Sequence, residues 1–253
     1  MIKEQRLIMG MPITIMTPAA SLDASHIEEI FDFFRYVDTT YSPFIETSDV
    51  SRINNGSLIE KDYTKELRSI LSLAETTKQE TKGYFDVWHR GIFDPSGIVK
   101  GWAIEQASKM MGQHTSDFYI EAGGDIQVSG ANADGKDWKI GVRNPFNRYE
   151  NISVVSLNNH AIATSGTAIR GQHIYDPVQS KELTGIVSLS IIARNIIDAD
   201  RMATAAFAMG SDGINFIESL PGGYEGYMVS KSGVATMTSR WKEYEASRCD
   251  TLT

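Results

Sequence analysis

The order in which two hydrophobic periodicities occur along the chain constrains the fold more than any single residue does. Apolar residues at helical spacing crowd into the first 112 residues, and strand-like stretches fill most of the remainder. "SLDASHIEEIFDFFRYVDTTY" sets Ile27, Ile30, Phe31, Phe34 and Val37 on one helical face, with Ser25 and Glu28 at capping-box spacing. "YTKELRSILSLAETTKQETKG" repeats the pattern with Leu67, Ile70, Leu71 and Ala74, and Gly83 is its expected stop. A third helix is expected over "GIVKGWAIEQASKMMG", ending at Gly112. Strands are expected in "FYIEAGGDIQVSG", "WKIGVRNP", "ISVVSLNNHAIATSG" and "IVSLSIIARN". A helix from Asp200, a shorter one near "GINFIESL" and a hairpin turning at Ser232-Gly233 complete the chain. Without strict strand-helix-strand alternation, this order predicts an α+β domain rather than a doubly wound parallel sheet.

With 42% hydrophobic residues, 253 residues are enough to bury a full core, and no linker or repeat divides them. The formal charge of −8, with basic residues scattered, excludes a nucleic-acid partner, because a phosphate backbone would be repelled. Cys249 is the single cysteine, which excludes an internal disulfide and a cysteine-based metal site. The tail "EASRCDTLT" lacks apolar periodicity, so the domain is expected over 1–245 and a mobile segment over 246–253. The opening "MIKEQRLIMGMPITIMTPAAS" has two readings. Lys3 and Arg6 before an apolar stretch imitate a signal peptide, whereas Glu4, Gly10 and Pro12 interrupt that pattern. Thr14 alternating with Ile13 and Ile15 favours a first β-strand, and with it a cytoplasmic location. No stretch has the length of a transmembrane helix.

Five stretches hold polar residues where a plain core would not need them. "NIIDADRMATAAFAMG" carries Asp198 and Asp200, with Thr204 one turn later on the same helical face. Either Asp200 caps the helix and Thr204 bonds its own backbone, or both aim oxygen at a cation. "YSPFIETSDVSRIN" is a polar loop around Phe44, an ordinary connection or part of a site. In "GYFDVWHRGIFDPSGIVKGW" aromatic residues alternate with Asp86 and Asp94, and Lys100 falls in the first turn of a helix. The helix dipole disfavours a cation there, so Lys100 has an anionic partner or is simply solvated. "EAGGDI" places paired glycines on a strand, the mark of a bulge or close backbone approach, and Asp125 beside them caps a turn or faces a ligand. "AIATSGTAIRGQHIYDP" makes a hydroxyl-rich turn of Thr164, Ser165, Gly166 and Thr167, followed by His173 and Asp176. No P-loop, dinucleotide-binding glycine fingerprint or zinc-peptidase helix is present.

In their order these stretches resemble the ApbE family of FAD:protein FMN transferases over nearly the whole chain. The resemblance rests on "MGMPITI", "YSPFIETSDVSRIN", "GYFD", "DPSGIVKGWAIE", "EAGGDI", "WKIGVRNP", "IATSG", "HIYDP" and "DADRMATAAFAMG". Gln179-Ser180 stands where the family usually has Thr-Gly, and "SPF" replaces a Ser-Thr-aromatic run, so that only Phe44 carries over there. The resemblance implies a single domain with a mostly antiparallel sheet flanked by helices. It implies an enzyme that binds FAD and Mg2+, cleaves the pyrophosphate, releases AMP and attaches FMN to a Thr or Ser of a partner flavoprotein. Carried over by position, Met9, Phe44, Tyr84, Phe85, Asp86, Asp94, Lys100 and Ile174 would bind FAD. Asp200, Thr204 and the carbonyl of Gly97 would hold Mg2+, and His173 would take the proton of the attacking hydroxyl, with Asp200 in the catalytic group. No nucleic acid and no membrane segment enter this expectation.

Overall fold

A computed structural model describes residues 1–19, 22–89, 91–167, 175–176, 181–182 and 185–246. Of the expected site, His173 and Ile174 lie outside these residues, as do Gln179, Ser180 and 247–253 of the expected tail.

The N-terminal stretch forms two strands rather than one. β1 (Ile2–Ile8) and β2 (Met11–Thr17) pair antiparallel with Ile8 opposite Met11. Met9 and Gly10 make the turn, both with positive φ, +56° and +69°, as a tight hairpin of this handedness requires. Helix α1 (Ala24–Tyr41) buries Ile27, Ile30, Phe31, Phe34 and Val37, the face its spacing predicts. Its cap is Asp23, which accepts the Ser25 amide, so the helix begins before the expected capping box at Ser25 and Glu28. A short helix α2 (Asp49–Asn54), capped by Ser48, occupies the end of the stretch read as a loop. Helix α3 (Lys65–Glu80) is capped by Thr64, and the Gly83 amide closes its far end on the Lys78 carbonyl at 2.8 Å. Helix α4 spans Ser96–Gly112, ending where expected.

"EAGGDI" is a hairpin and not one strand: β3 (Phe118–Ala122) and β4 (Asp125–Ser129) meet at Gly123 and Gly124, with φ +61° and +98°. There follow β5 (Trp138–Arg143), β6 (Asn151–Leu157), β7 (Ala161–Gly166) and β8 (Ile186–Ala193). Thr164 and Ser165 thus lie in a strand rather than a turn, and the Thr164 and Ser190 hydroxyls bond across β7 and β8 at 2.7 Å. Helix α5 (Ile196–Ala208), α6 (Gly213–Ser219), β9 (Glu225–Ser230) and β10 (Ala235–Met237) complete the labelled elements.

One eight-stranded sheet, β1-β2-β3-β4-β7-β8-β9-β10, is antiparallel at every pairing. Alternation sorts its side chains into two cores. Phe118, Ile120, Ala122, Ala161, Ala163, Leu189 and Ile191 pack with the helices. Tyr119, Val128, Ile162, Ile192, Tyr227 and Val229 pack on the opposite face. There β5 and β6, a separate hairpin, contribute Trp138, Ile140, Val142, Val155 and Leu157, joined by Trp241. The Ala246 amide bonds the Val154 carbonyl at 2.8 Å, so the chain is still tied to β6 at the first residue of the expected tail. The result is the α+β domain with an antiparallel sheet that the sequence predicts. Among the described residues no helix is long and apolar enough to cross a membrane.

Candidate functional site

A cavity of about 790 Å³ opens where the N-terminal part of α4, the β3–β4 turn, the end of β7 and the β5–β6 hairpin converge. Its volume is in the range of sites that enclose a large organic ligand. Helix α5 supplies one wall, and its first turn explains why two acids stand there. Asn195, not Asp200, caps α5: its side chain accepts the Asp198 amide at 2.8 Å. Asp198 in turn receives the Arg201 guanidinium at 2.8 Å, and Arg201 also pairs with Glu80. Asp200 is one turn inside the helix, free of the capping role and turned toward α4.

There it is 3% exposed, and its Oδ2 accepts the Gly101 amide at 2.9 Å. Gly101 leaves room for this approach. A Cβ on it would stand 3.0 Å from both Asp200 Cβ and Oδ2 and 3.2 Å from the Ile196 carbonyl. The acceptor that a regular helix offers this amide is the Gly97 carbonyl, so Asp200 competes for the hydrogen that would otherwise engage that oxygen alone. Gly97 itself is a close-packing point: a Cβ there would lie 3.3 Å from the Phe85 ring and 3.5 Å from Thr204 Cγ2. The Thr204 hydroxyl has no hydrogen-bond partner among the described residues, so the back-bonding reading of this threonine is not what the helix shows.

Lys100, one turn into α4, lies between two buried carboxylates, with Nζ 2.5 Å from Asp125 Oδ2 and 3.4 Å from Asp200 Oδ1. Its anionic partners answer the question raised by its place near a helix N-terminus. Asp125 is 1% exposed, and its Oδ1 accepts the Thr164 amide at 3.1 Å, tying the β3–β4 turn to β7. Burial pushes the Asp200 carboxyl up to about 7, against the pull of the Lys100 ammonium, and neighbouring Asp125 adds to the rise. With both carboxylates ionised, the pair around one ammonium carries one negative charge too many, and the raised Asp200 pKa is how a proton answers it. A further cation would offset the same charge.

Of the residues expected to bind FAD, Tyr84, Phe85, Asp86, Asp94 and Lys100 line this cavity, together with Gly97, Asp200 and Thr204. Asp86 Oδ2 pairs with Lys78 at 2.8 Å, which raises the lysine's pKa, and Asp94 accepts the Ser96 amide at 3.0 Å. Met9 and Phe44 are not brought to the described cavity wall. Met9 sits in the β1–β2 turn against the helical core, its amide on Asp38 at 3.3 Å, and Phe44 is 94% exposed in the loop before α2. That loop reaches the site indirectly, because the Asn54 side chain pairs with both backbone groups of Phe93, next to Asp94.

Sequence reasoning left the opposite wall out of its residue assignments. Arg143, Asn144, Phe146 and Arg148, from the end of β5 and the turn after it, face the cavity with Glu121 of β3. The signal for Arg143 was available in "WKIGVRNP", where Trp138, Ile140 and Val142 are buried and the alternate positions point away from the core. Asp125 was singled out without an assigned role, because Lys100, the residue that gives it one, is distant in sequence. Among the described residues no three His, Cys, Asp or Glu side chains cluster as a metal cage. Mg2+ bound through one carboxylate, a hydroxyl and a carbonyl does not need one, since phosphate and water complete its shell.

A preformed cavity with aromatic residues, three cationic side chains and a buried carboxylate pair, set on an α+β scaffold, has the size and charge to suit a large aromatic anion. The model of the ApbE family matches residues 9–93 and 91–228, and the chain belongs to that family. An FAD:protein FMN transferase from Vibrio cholerae is 29% identical over 47% of this chain and 39% of its own length. Another of that name, from Chlamydia muridarum, is 26% identical over 71% of this chain and 73% of its own. The matched stretch thus spans about two fifths of the Vibrio relative and roughly three quarters of the chlamydial one. The fold is shared with the ApbE protein of Thermotoga maritima (TM-score 0.86, 22% identity, 97% of this chain and 99% of that one). It is shared also with the flavin transferase ApbE of Vibrio cholerae (TM-score 0.82, 20% identity, 96% and 98%).

Proposed function

We propose that this protein is a Mg2+-dependent FAD:protein FMN transferase, which cleaves FAD to AMP and joins FMN by a phosphoester bond to a Thr or Ser of a partner flavoprotein. The observation that carries the reading is the convergence of Gly97, Lys100, Asp200 and Thr204 at one wall of the cavity. Aromatic Tyr84 and Phe85 suit a flat ring system. Lys100, Arg143 and Arg148 suit a pyrophosphate, whose negative charge they offset. Asp200, the Thr204 hydroxyl and the Gly97 carbonyl are hard oxygen donors fitted to Mg2+, and a cation beside the ionised Asp125–Asp200 pair would take the place of the proton that the raised Asp200 pKa favours. When bound, the ion supplies Lewis-acid stabilisation of phosphoryl charge. The chain's part is to hold pyrophosphate and cation in one fixed geometry and to keep the flavin end against its aromatic wall.

His173 carries the proton-transfer role in this reading on its sequence position and the ordinary pKa of imidazole. His173→Ala should slow transfer by ~10²–10⁴-fold while leaving FAD affinity within a few-fold of wild type. Transfer at the wild-type rate would remove it from the mechanism. A cytoplasmic site of action belongs to the same proposal; residues 2–17 are strands of the main sheet, with Ile13 and Ile15 in its core, so they belong to the folded domain.

The test is incubation with FAD, Mg2+ and a candidate acceptor carrying a Ser/Thr flavinylation motif, followed by mass spectrometry. FMN covalently on the acceptor bears the proposal out. Free FMN and AMP alone would make the protein a pyrophosphatase with water as nucleophile, and intact FAD would make it a binding module.

A further inference from the structure

Lys100 has two carboxylates within reach and is not shared equally between them. Its ammonium is 2.5 Å from Asp125 and 3.4 Å from Asp200. Asp125 is anchored: it is buried at the β3–β4 turn, it pairs with Ala122 across that turn, and its other oxygen accepts the Thr164 amide. Asp200 has one oxygen committed to the Gly101 amide, so Oδ1, the one nearer Lys100, is the oxygen with capacity to spare. An ammonium settled on that oxygen would occupy the place and cancel the charge that a metal cation needs. The position of Lys100 therefore decides whether Asp200 is available.

We propose that Asp125 is a positioning residue, which holds the Lys100 ammonium off Asp200 and so leaves that carboxylate to a cation and the lysine's charge to the anion in the cavity. The proposal rests on reading the cavity as a site for FAD and Mg2+, and it assigns to Asp125 an effect exerted through Lys100 rather than by contact with the ligand. Removing the Asp125 charge leaves Asp200 as the nearest described carboxylate, and Lys100 moves onto it. Two losses arise together: weaker cation binding at Asp200 and weaker anion binding by Lys100.

The test is a double-mutant cycle with Asp125→Asn and Lys100→Met. Asn keeps the volume and the oxygen that accepts from Thr164, and replaces the oxygen facing Lys100 by an NH2 that cannot pair with it. Two readouts are taken, Mn2+ binding to the ligand-free protein by electron paramagnetic resonance and FAD binding with Mg2+ by calorimetry. In the wild-type background Asp125→Asn should weaken each by about tenfold, the equivalent of roughly 1.4 kcal/mol. In the Lys100→Met background the same change should weaken each by less than about threefold, since there is no ammonium to misplace. Equal losses in the two backgrounds would show a direct effect of the Asp125 charge and overturn the proposal, as would no loss in either. Should the Asn variant not fold, Asp125→Ser, smaller and still able to accept from Thr164, is read in the same way. A wild-type protein that binds Mn2+ but not FAD would refute the transferase reading, and the Mn2+ arm would still decide the role of Asp125. A wild-type protein that binds no Mn2+ would overturn the proposal itself.

Discussion

Replacing Asp200 by Asn removes one negative charge and almost no volume, and the cap of α5 is untouched because Asn195 provides it. The Asn oxygen can still accept the Gly101 amide. Asp200→Asn should therefore fold normally and lower FAD cleavage on the order of 10²-fold or more, with the Mg2+ titration moved to higher concentration. Asn195→Ala should do the reverse, costing ~1 kcal/mol of stability by denaturant titration while leaving the Mg2+ midpoint in place. Normal Mg2+ dependence in the Asp200 variant would end the metal reading of this residue. Of the two aromatics in "GYFD", Tyr84 is the cleaner probe. Phe85 is 4% exposed, and its ring contacts Gly97, so that Phe85→Ala would cost ~3–5 kcal/mol of core packing whatever its effect on flavin. Tyr84→Ala should weaken FAD binding about tenfold, read by flavin fluorescence quenching, with little change in melting temperature. Unchanged affinity would take the ring system away from this wall.

The contact between α4 and α5 is where sequence choices at single positions become the geometry of the site. Gly101 lets α5 approach until Asp200 reaches an α4 amide, and even a methyl group there would press on Asp200 and the Ile196 carbonyl. Gly101→Ala gains ~1 kcal/mol of helix propensity and meets an overpacking cost of ~1–3 kcal/mol, so a net loss of stability is expected. The same substitution displaces Asp200, so FAD cleavage should fall more steeply than the melting temperature; full activity in a stable Ala variant would contradict this. Elements with long periodic patterns were legible in the sequence. Helices α1 and α3 show their buried faces in the spacing of Ile27 to Val37 and of Leu67 to Ala74, and α4 ends at its expected glycine. The hairpin at Met9–Gly10 was hidden, because a two-residue turn hardly interrupts an alternating pattern, whereas the Gly123–Gly124 pair carried a hairpin signal that reads equally as a bulge. The start of α5 was misread because Asp200 looks like a cap until Asn195 is seen to do that work. Much of the cavity wall on α4 and α5 could be placed from ordered motifs, whereas Arg148 and the pairing of Asp125 with Lys100 depend on contacts that no local pattern contains.

At the scale of the molecule, one sheet serves two cores, and the cavity lies where the helical layer and the β5–β6 hairpin come together. Its α4–α5 wall is continuous with the larger core, through Ile98, Ala103, Ala199 and Ala203. The hairpin wall ends in a turn carrying Phe146 and Tyr149, both exposed. The two sides differ in what must happen before water reaches their amides, and the Gly101 N–H makes that difference measurable. It is buried between two core helices and held by Asp200, so deuterium can replace its hydrogen only when those helices part. Its exchange should track global unfolding, slowed on the order of 10⁴-fold or more, whereas the amide of Ser232, at the exposed tip of the turn over 231–233, exchanges far faster. A ligand that binds the folded cavity adds its binding free energy to that opening, about 1.4 kcal/mol for each tenfold excess over Kd. Gly101 exchange should accordingly slow tenfold for every tenfold rise in FAD above Kd, while that of Ser232 stays unchanged. Exchange at Gly101 that ignored FAD would show that the ligand does not engage this fold. A single backbone hydrogen thus works as a balance on which any molecule offered to the cavity can be weighed, without label or turnover.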